Sequence, residues 1–360
     1  MAADPLRFYI GTYTNGESKG IYQSSLDLAS GELSSPTLAA VAKNPSFVAV
    51  HPSGKYLYAV NEVGNFDGEA AGSVSAFTIA GDGKLTLLNQ RSTQGGAPCH
   101  LVVDQLGKTV LVANYSGGSV ISFPISGDGR LSKVQSFVQH VGASIDPSRQ
   151  QAPHAHSINL DAQSSFAVVA DLGLDKLLVY RFNPDSSSFS AQPTQEASVS
   201  PGGGPRHFVF HPNGHWAYVI NEMNSTITVF DYEQVSGSLT SKQSVPTLPQ
   251  NFDKGSSTAE VCVTPDGRFV YGSNRGHDSL AAFRVNPSDG TLSLIEIEST
   301  GGKSPRSFII DPTGQYILTQ NQGSDSILVI KIDMKTGALE PTKHQIKVPK
   351  PVCIRFLDRP

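Results

Sequence analysis

A single strand–turn–strand pattern recurs along this chain in one register, and that recurrence limits the fold more than any other feature. The pattern runs Pro or an equivalent, an apolar stretch, a turn with Gly, a second apolar stretch, then a polar residue, usually Asn. It reads PSFVAVHPSGKYLYAVN at 45–61, PCHLVVDQLGKTVLVAN at 98–114 and PHAHSINLDAQSSFAVVAD at 153–171. It returns as PRHFVFHPNGHWAYVIN at 205–221, TAEVCVTPDGRFVYGSN at 258–274 and PRSFIIDPTGQYILTQN at 305–321. Two apolar stretches around a turn rich in Pro, Gly, Asn and Asp predict a β-hairpin of strands A and B.

A second mark follows in each unit: SGEL (30–33), DGKL (82–85), DGRL (128–131), SGSL (236–239), DGTL (289–292) and TGAL (336–339), with a degenerate SSSF at 186–189. Alternating stretches such as GSVSAFTI (72–79) and STITVFDY (225–232) precede it, which predicts a turn between strands C and D. The unit A-B-C-D is roughly 46–58 residues long, the length of a propeller blade.

The ends complete the count. Residues 7–33 begin with a B-like strand, RFYIGTY, that no A strand precedes, and 351–356, PVCIRF, form an A strand that no B follows. Joining them makes a seventh unit and removes two open sheet edges. The expected fold is therefore all-β: a seven-bladed β-propeller of four antiparallel strands per blade, one domain over 1–360. At 360 residues two domains would be the usual expectation. A β-sandwich would leave seven copies of one register unexplained. Composition agrees: Gly (34) and Pro (23) are plentiful and charged residues are only 16%.

Charge and hydropathy exclude several classes of partner. The net charge is −4 and Lys and Arg form no stripe, so a nucleic-acid partner is not expected. No apolar run is long enough to span a bilayer. Met1-Ala2-Ala3-Asp4-Pro5 lacks the regions of a signal peptide, which points to the cytoplasm, with export the alternative if a leader was trimmed. Cys99, Cys262 and Cys353 fit no metal spacing and read as buried free thiols near the starts of A strands. A monomer or weak dimer is expected.

In a propeller the A strands surround a central channel, and each A start shares a rim with the end of its B strand. The A starts supply His100, His154, His156, Arg206, His207, Glu260 and Arg306. The B ends supply Asn61, Glu62, Asn114, Tyr115, Asp171, Asn221, Glu222, Asn274, Arg275, Asn321 and Gln322. The opposite rim carries turn residues such as His51-Pro52 and His211-Pro212. Arginines, histidines and carboxylates thus gather at one mouth. Arginine forks hold carboxylate or phosphate, and His or a carboxylate beside them can move protons near neutral pH.

Function is placed ahead of structure for Arg206, Glu222 and Arg275, because charges facing one channel need partners or a ligand. For Asn114, Asn274 and Asn321 a capping role weighs at least as much as ligand contact, for His100 and His207 packing weighs about as much as catalysis, and Glu62 reads equally as a solvated loop residue. The GGG at 202–204 precedes no helix and reads as a flexible connection between blades, not a phosphate loop. No nucleophile elbow or triad is present. His154-Ala-His156 has no third ligand at diagnostic spacing, so neither a metal nor any other cofactor is expected.

The segments FYIGTYT, PHAHS, GPRHFVFHPNGHWAYVINE and SNRGHDS resemble the seven-bladed propeller lactonase family, which includes propeller-type 6-phosphogluconolactonases and fungal carboxy-muconate cyclases. The resemblance covers nearly the whole chain. It implies a central site of one His, two Arg and a Glu: His154 or His156 from PHAHS, Arg206 from PRH, Glu222 from NE and Arg275 from NRGHDS. His156 is preferred because it aligns with His100 and His207.

The leading expectation is a lactone hydrolase acting on a sugar-acid lactone of the 6-phosphogluconolactone kind. Glu222 with His156 would activate water or shuttle a proton, and Arg206 and Arg275 would hold the anion. His154, His100, His207, Arg306, Glu260, Asn221 and Asn274 would contact substrate. A cycloisomerase acting on an unsaturated diacid, and a non-enzymatic propeller binding a sugar acid or a protein, are the alternatives.

Overall fold

The inner strands are apolar on both faces, so each sheet they form must be covered on both sides. In the B strand Thr109–Asn114 every residue is buried, and the C strand beside it, Ser119–Pro124, is buried up to its last residue. The outer strands instead alternate towards solvent, as Leu239–Pro246 does. A ring of sheets packed face to face satisfies both patterns.

In the computed structural model, which describes residues 5–357, the chain is that ring. Seven antiparallel sheets follow one another, each ordered A-B-C-D from the axis outwards. The first blade combines the C-terminal A strand Pro351–Phe356 with Leu6–Thr12, Gly20–Leu26 and Thr37–Val41. The expected closure by the two ends is therefore present: Phe8 pairs with Phe356 and Ile10 with Ile354. The degenerate turn at 186–189 marks an irregular blade, whose outer strand is split into Ser188–Phe189 and Gln195–Ser198. Residues 1–4, which carry the expectation about a leader, lie outside the described residues. Among the described residues no helix is long and apolar enough to cross a membrane.

The repeated Gly-x-Leu marks join neighbouring blades. Leu131, Leu239, Leu292 and Leu339 are buried in the interfaces. The glycines sit at positive φ, and the preceding blade leaves no room for a side chain there. A Cβ on Gly290 would lie 2.3 Å from the Trp216 ring, and one on Gly337 2.3 Å from Phe269. A buried tyrosine completes several joints: Tyr9, Tyr58, Tyr218 and Tyr271 donate to the carbonyls of Gly83, Gly129, Gly290 and Gly337 at 2.9–3.0 Å. At the far rim His51 and His211 are turn residues, as expected, and each also bonds the corresponding glycine carbonyl of the next blade.

The GGG connection is not loose. Asp175 accepts from the amides of Gly202 and Gly204 at 2.7 Å each, and also from Ser144 and Gln150. Cys99 and Cys353 are buried free thiols, whereas Cys262 is partly exposed and sits near the end of its strand.

Candidate functional site

Strand register decides which side chains reach the mouth. Near the start of A the A–B pairing shifts by one residue in six blades: between Thr258 and Val261 in one, and in the other five around a single bulged residue, with Pro98 and His100, Ala155 and Ser157, Pro205 and His207, Pro305 and Ser307, and Pro351 and Cys353 in register on either side of it. The bulged residues are Cys99, His156, Arg206, Arg306 and Val352. A bulge re-aims a side chain, and all five line the channel mouth or the narrow chamber beneath it. A second ring comes from the residue after the last buried polar residue of five of the B strands: Tyr13, Glu62, Tyr115, Glu222 and Arg275.

This register corrects one alignment. Ser157 pairs with Ala170 as His100 does with Ala113, so His156 is equivalent to Cys99 and Arg206, not to His100 and His207. The extra residue in PHAHS puts Ala155 in the proline position. His156 nevertheless lines the cavity. His154 precedes the strand and lies outside it, stacked on Tyr115 with ring centroids 4.6 Å apart.

Glu222 is the centre of the cluster. Its Oε2 lies 3.0 Å from Nε of Arg206 and 2.9 Å from Nη2 of Arg275, and its Oε1 lies 2.7 Å from Nη2 of Arg149. Arg206 and Arg275 are fixed further by the carbonyls of Ala259 and Thr258. Across the cavity, Tyr13 donates to Glu62 (2.7 Å) and accepts from Arg306 (2.9 Å), while Ser46 donates to the same Glu62 oxygen (2.5 Å). Glu62 is therefore part of the site and not a solvated loop residue. Glu62, Arg149, Glu222, Arg275 and Arg306 line, with His156, a cavity of about 270 Å³, near the lower end of small-ligand sites, while Tyr13, Ser46 and Arg206 line the narrow chamber beside it.

Four guanidinium groups here face two carboxyl groups, a surplus of positive charge that favours an anionic ligand. Burial alone would raise the Glu222 carboxyl, but Arg275, Arg206 and Arg149 outweigh it and hold it at about 2. Burial and the Arg206 charge bring Arg275 down to about 10, which keeps it cationic at neutral pH. Its Nε is buried without a hydrogen-bond partner among the described residues. Burial, with Arg206 and His207, pushes His156 well below 6.5, so its imidazole is neutral at pH 7. Burial raises the Tyr13 phenol, which stays protonated.

Several expected contacts lie elsewhere. Asn221 and Asn274 turn away from the cavity, because side chains alternate along a strand and the next residue, Glu222 or Arg275, faces it. Asn221 donates to Thr226 and Thr228, and Asn274 to the carbonyl of Thr247 and to Ser279. These asparagines tie strand B to strand C and do not line the cavity. Glu260 lies below the mouth and accepts from Ser307 at 3.0 Å, with Nδ1 of His207 2.7 Å from its other oxygen. His207 lines the inner chamber, whereas His100 faces a separate cavity lower in the channel. Arg306 is where it was expected. Arg149, Tyr13, Ser46 and Cys99 were missed. Tyr13 and Ser46 carried a signal, since they occupy the repeat positions of Glu222 and Arg206; Arg149 comes from a connection and carried none.

Residues 7–356 match the family model described as lactonase, 7-bladed beta-propeller. A 6-phosphogluconolactonase of Bacillus subtilis is 38% identical over 350 residues, covering 97% of each chain. One of Formosa agariphila is 34% identical over 83% of this chain and 85% of its own. The solved structure of the periplasmic gluconolactonase of Pseudomonas aeruginosa superposes with a TM-score of 0.91 at 31% identity, covering 99% of both chains.

Proposed function

The chain belongs to the seven-bladed β-propeller lactonase family, and from that premise we propose that it hydrolyses the internal ester of an anionic sugar-acid lactone, as its 6-phosphogluconolactonase relatives are named for doing. The observation that carries this reading is the Glu222 cluster: one ionised carboxylate orients three guanidiniums at a cavity mouth beside a neutral imidazole.

Each group has a part. Arg206 and Arg275 face the lactone carbonyl and stabilise the oxyanion that forms when water adds, where charge fixed in advance helps most. His156 takes the proton from the attacking water and returns it to the ring oxygen as the carbon–oxygen bond breaks. The products are a carboxylate and a hydroxyl, and the carboxyl proton passes to solvent. A chamber of about 10 Å³ borders His156 and Arg206, close to the volume one water needs. Glu222, with guanidiniums on both oxygens and its carboxyl held at about 2, serves as the fixed counter-charge. Proton transfer is thereby left to His156.

The test is proton release during turnover of a panel of sugar-acid δ-lactones, with and without chelator, by the protein and by Arg275→Ala. Losing one oxyanion donor should lower kcat/KM by at least ~10²-fold. An unchanged rate in the variant removes Arg275 from the mechanism. A panel with no turnover removes the hydrolase reading.

A further inference from the structure

The four arginines at the mouth are not equivalent. Arg206, Arg275 and Arg306 belong to strands and are fixed by backbone or tyrosine partners. Arg149 alone comes from a connection between blades, residues 140–154, the longest in the ring. Its side chain is 42% exposed against 2% for Arg206 and 16% for Arg275. One of its terminal nitrogens reaches Glu222 (2.7 Å) and the hydroxyl of Tyr115 (3.1 Å). It borders the same cavity as His156 and Arg275, from the solvent side.

The connection that carries it is built to hold one shape. Asp146 accepts from the backbone of Ser148 and Arg149, and buried Gln150 donates to the Leu172 carbonyl and to Asp175. Asp175 also accepts from Ser144 and from the amides of Gly202 and Gly204. One buried carboxylate thus fixes the arm bearing Arg149 and the turn leading into the strand of Arg206. A long exposed connection is not ordinarily anchored this way unless its tip has work to do.

We propose that Arg149 is a specificity-determining residue that binds a second anionic group, a phosphate ester, on the part of the lactone farthest from its carbonyl. This rests on the lactonase reading and assigns, within it, the residue that reads the remote charge. The deep arginines meet the reacting carbonyl, and the rim arginine meets the remote charge, so a lactone charged at its outer end is held at both. A guanidinium fork suits a phosphate better than a hydroxyl. Its position half in solvent makes the preference sensitive to salt.

The experiment compares a δ-lactone bearing a terminal phosphate with the same lactone lacking it, for the protein, Arg149→Ala and Arg149→Lys. The preference for the phosphorylated lactone in kcat/KM should fall at least ~10-fold in Arg149→Ala, the low end for a hydrogen bond to a charged group. The fall should lie mainly in KM, and Arg149→Lys should recover part of it. Raising ionic strength should erode the preference of the parent protein and not that of Arg149→Ala. A preference changed less than about twofold, or an equal loss of kcat on both lactones, overturns the proposal. Calorimetric binding of the two product acids, with and without phosphate, supplies a reading independent of turnover. If the parent protein hydrolyses neither lactone, the hydrolase reading falls alone, and the loss or retention of phosphate-selective binding in Arg149→Ala still decides the role of Arg149.

Discussion

Glu222 shows how a charge is kept under cover. A carboxyl whose folded pKa lies below its unfolded value stabilises the fold above that unfolded value, and loses the contribution as pH falls towards the folded one. For Glu222 the window runs from 4.5 down to about 2. At about 1.36 kcal/mol for each pH unit this is on the order of 3 kcal/mol. Glu222→Gln should therefore be less stable than the parent by roughly that amount at pH 7, and the gap should narrow below pH 4.5 and close only near pH 2, measured by denaturant unfolding at pH 7 and pH 2. A gap independent of pH would mean that shape and not charge was lost. Buried His100, His156 and His207, held below their ordinary value, also withdraw stability as pH falls, but equally in both proteins. Arg206, Glu222 and Arg275 were legible because each occupies a repeat position that faces inward. The roles of Asn221 and Asn274 were not, since a buried asparagine and a ligand-facing one look alike until the alternation at the strand end is known.

Among the elements, the turn between strands C and D carries the joint from one blade to the next. Its glycine is required twice over, by positive φ and by a side chain of the preceding blade, an aromatic ring at Gly31, Gly129, Gly237, Gly290 and Gly337 and Gln23 at Gly83. Gly290→Ala would place a Cβ against Trp216 at φ of +75°, so a loss of about 2 kcal/mol or more is expected on unfolding in urea. Gly127→Ala is the control: no atom lies within 4 Å of its Cβ position, and its stability should stay within about 0.5 kcal/mol. Equal effects of the two would refute the contact. The hairpins and these turns could be read directly from spacing. The bulges near the starts of six of the A strands could not, because one inserted residue leaves the apolar pattern intact while re-aiming the side chain beside it. His156 was assigned to the wrong ring for a different reason: PHAHS carries one residue more before its strand than PCH and PRH do.

For the molecule as a whole, the decisive joint is the one the sequence announced by its incomplete ends. Deleting residues 351–360 removes the A strand of the first blade and leaves Leu6–Thr12 with a bare edge facing the channel. Such a chain should pass into aggregates, seen as loss of the monomer-sized or dimer-sized peak on gel filtration. A soluble truncated chain with unchanged unfolding would show that the closure contributes nothing. The joint also fixes direction. The strand Leu6–Thr12 starts at the rim opposite the mouth and Pro351–Phe356 finishes there, with the amide of Leu357 bonded to the Arg7 carbonyl. Whatever is attached by either end, a purification handle, a fluorescent domain or a solid bead, hangs below the ring, and the basin where ligand arrives looks the other way.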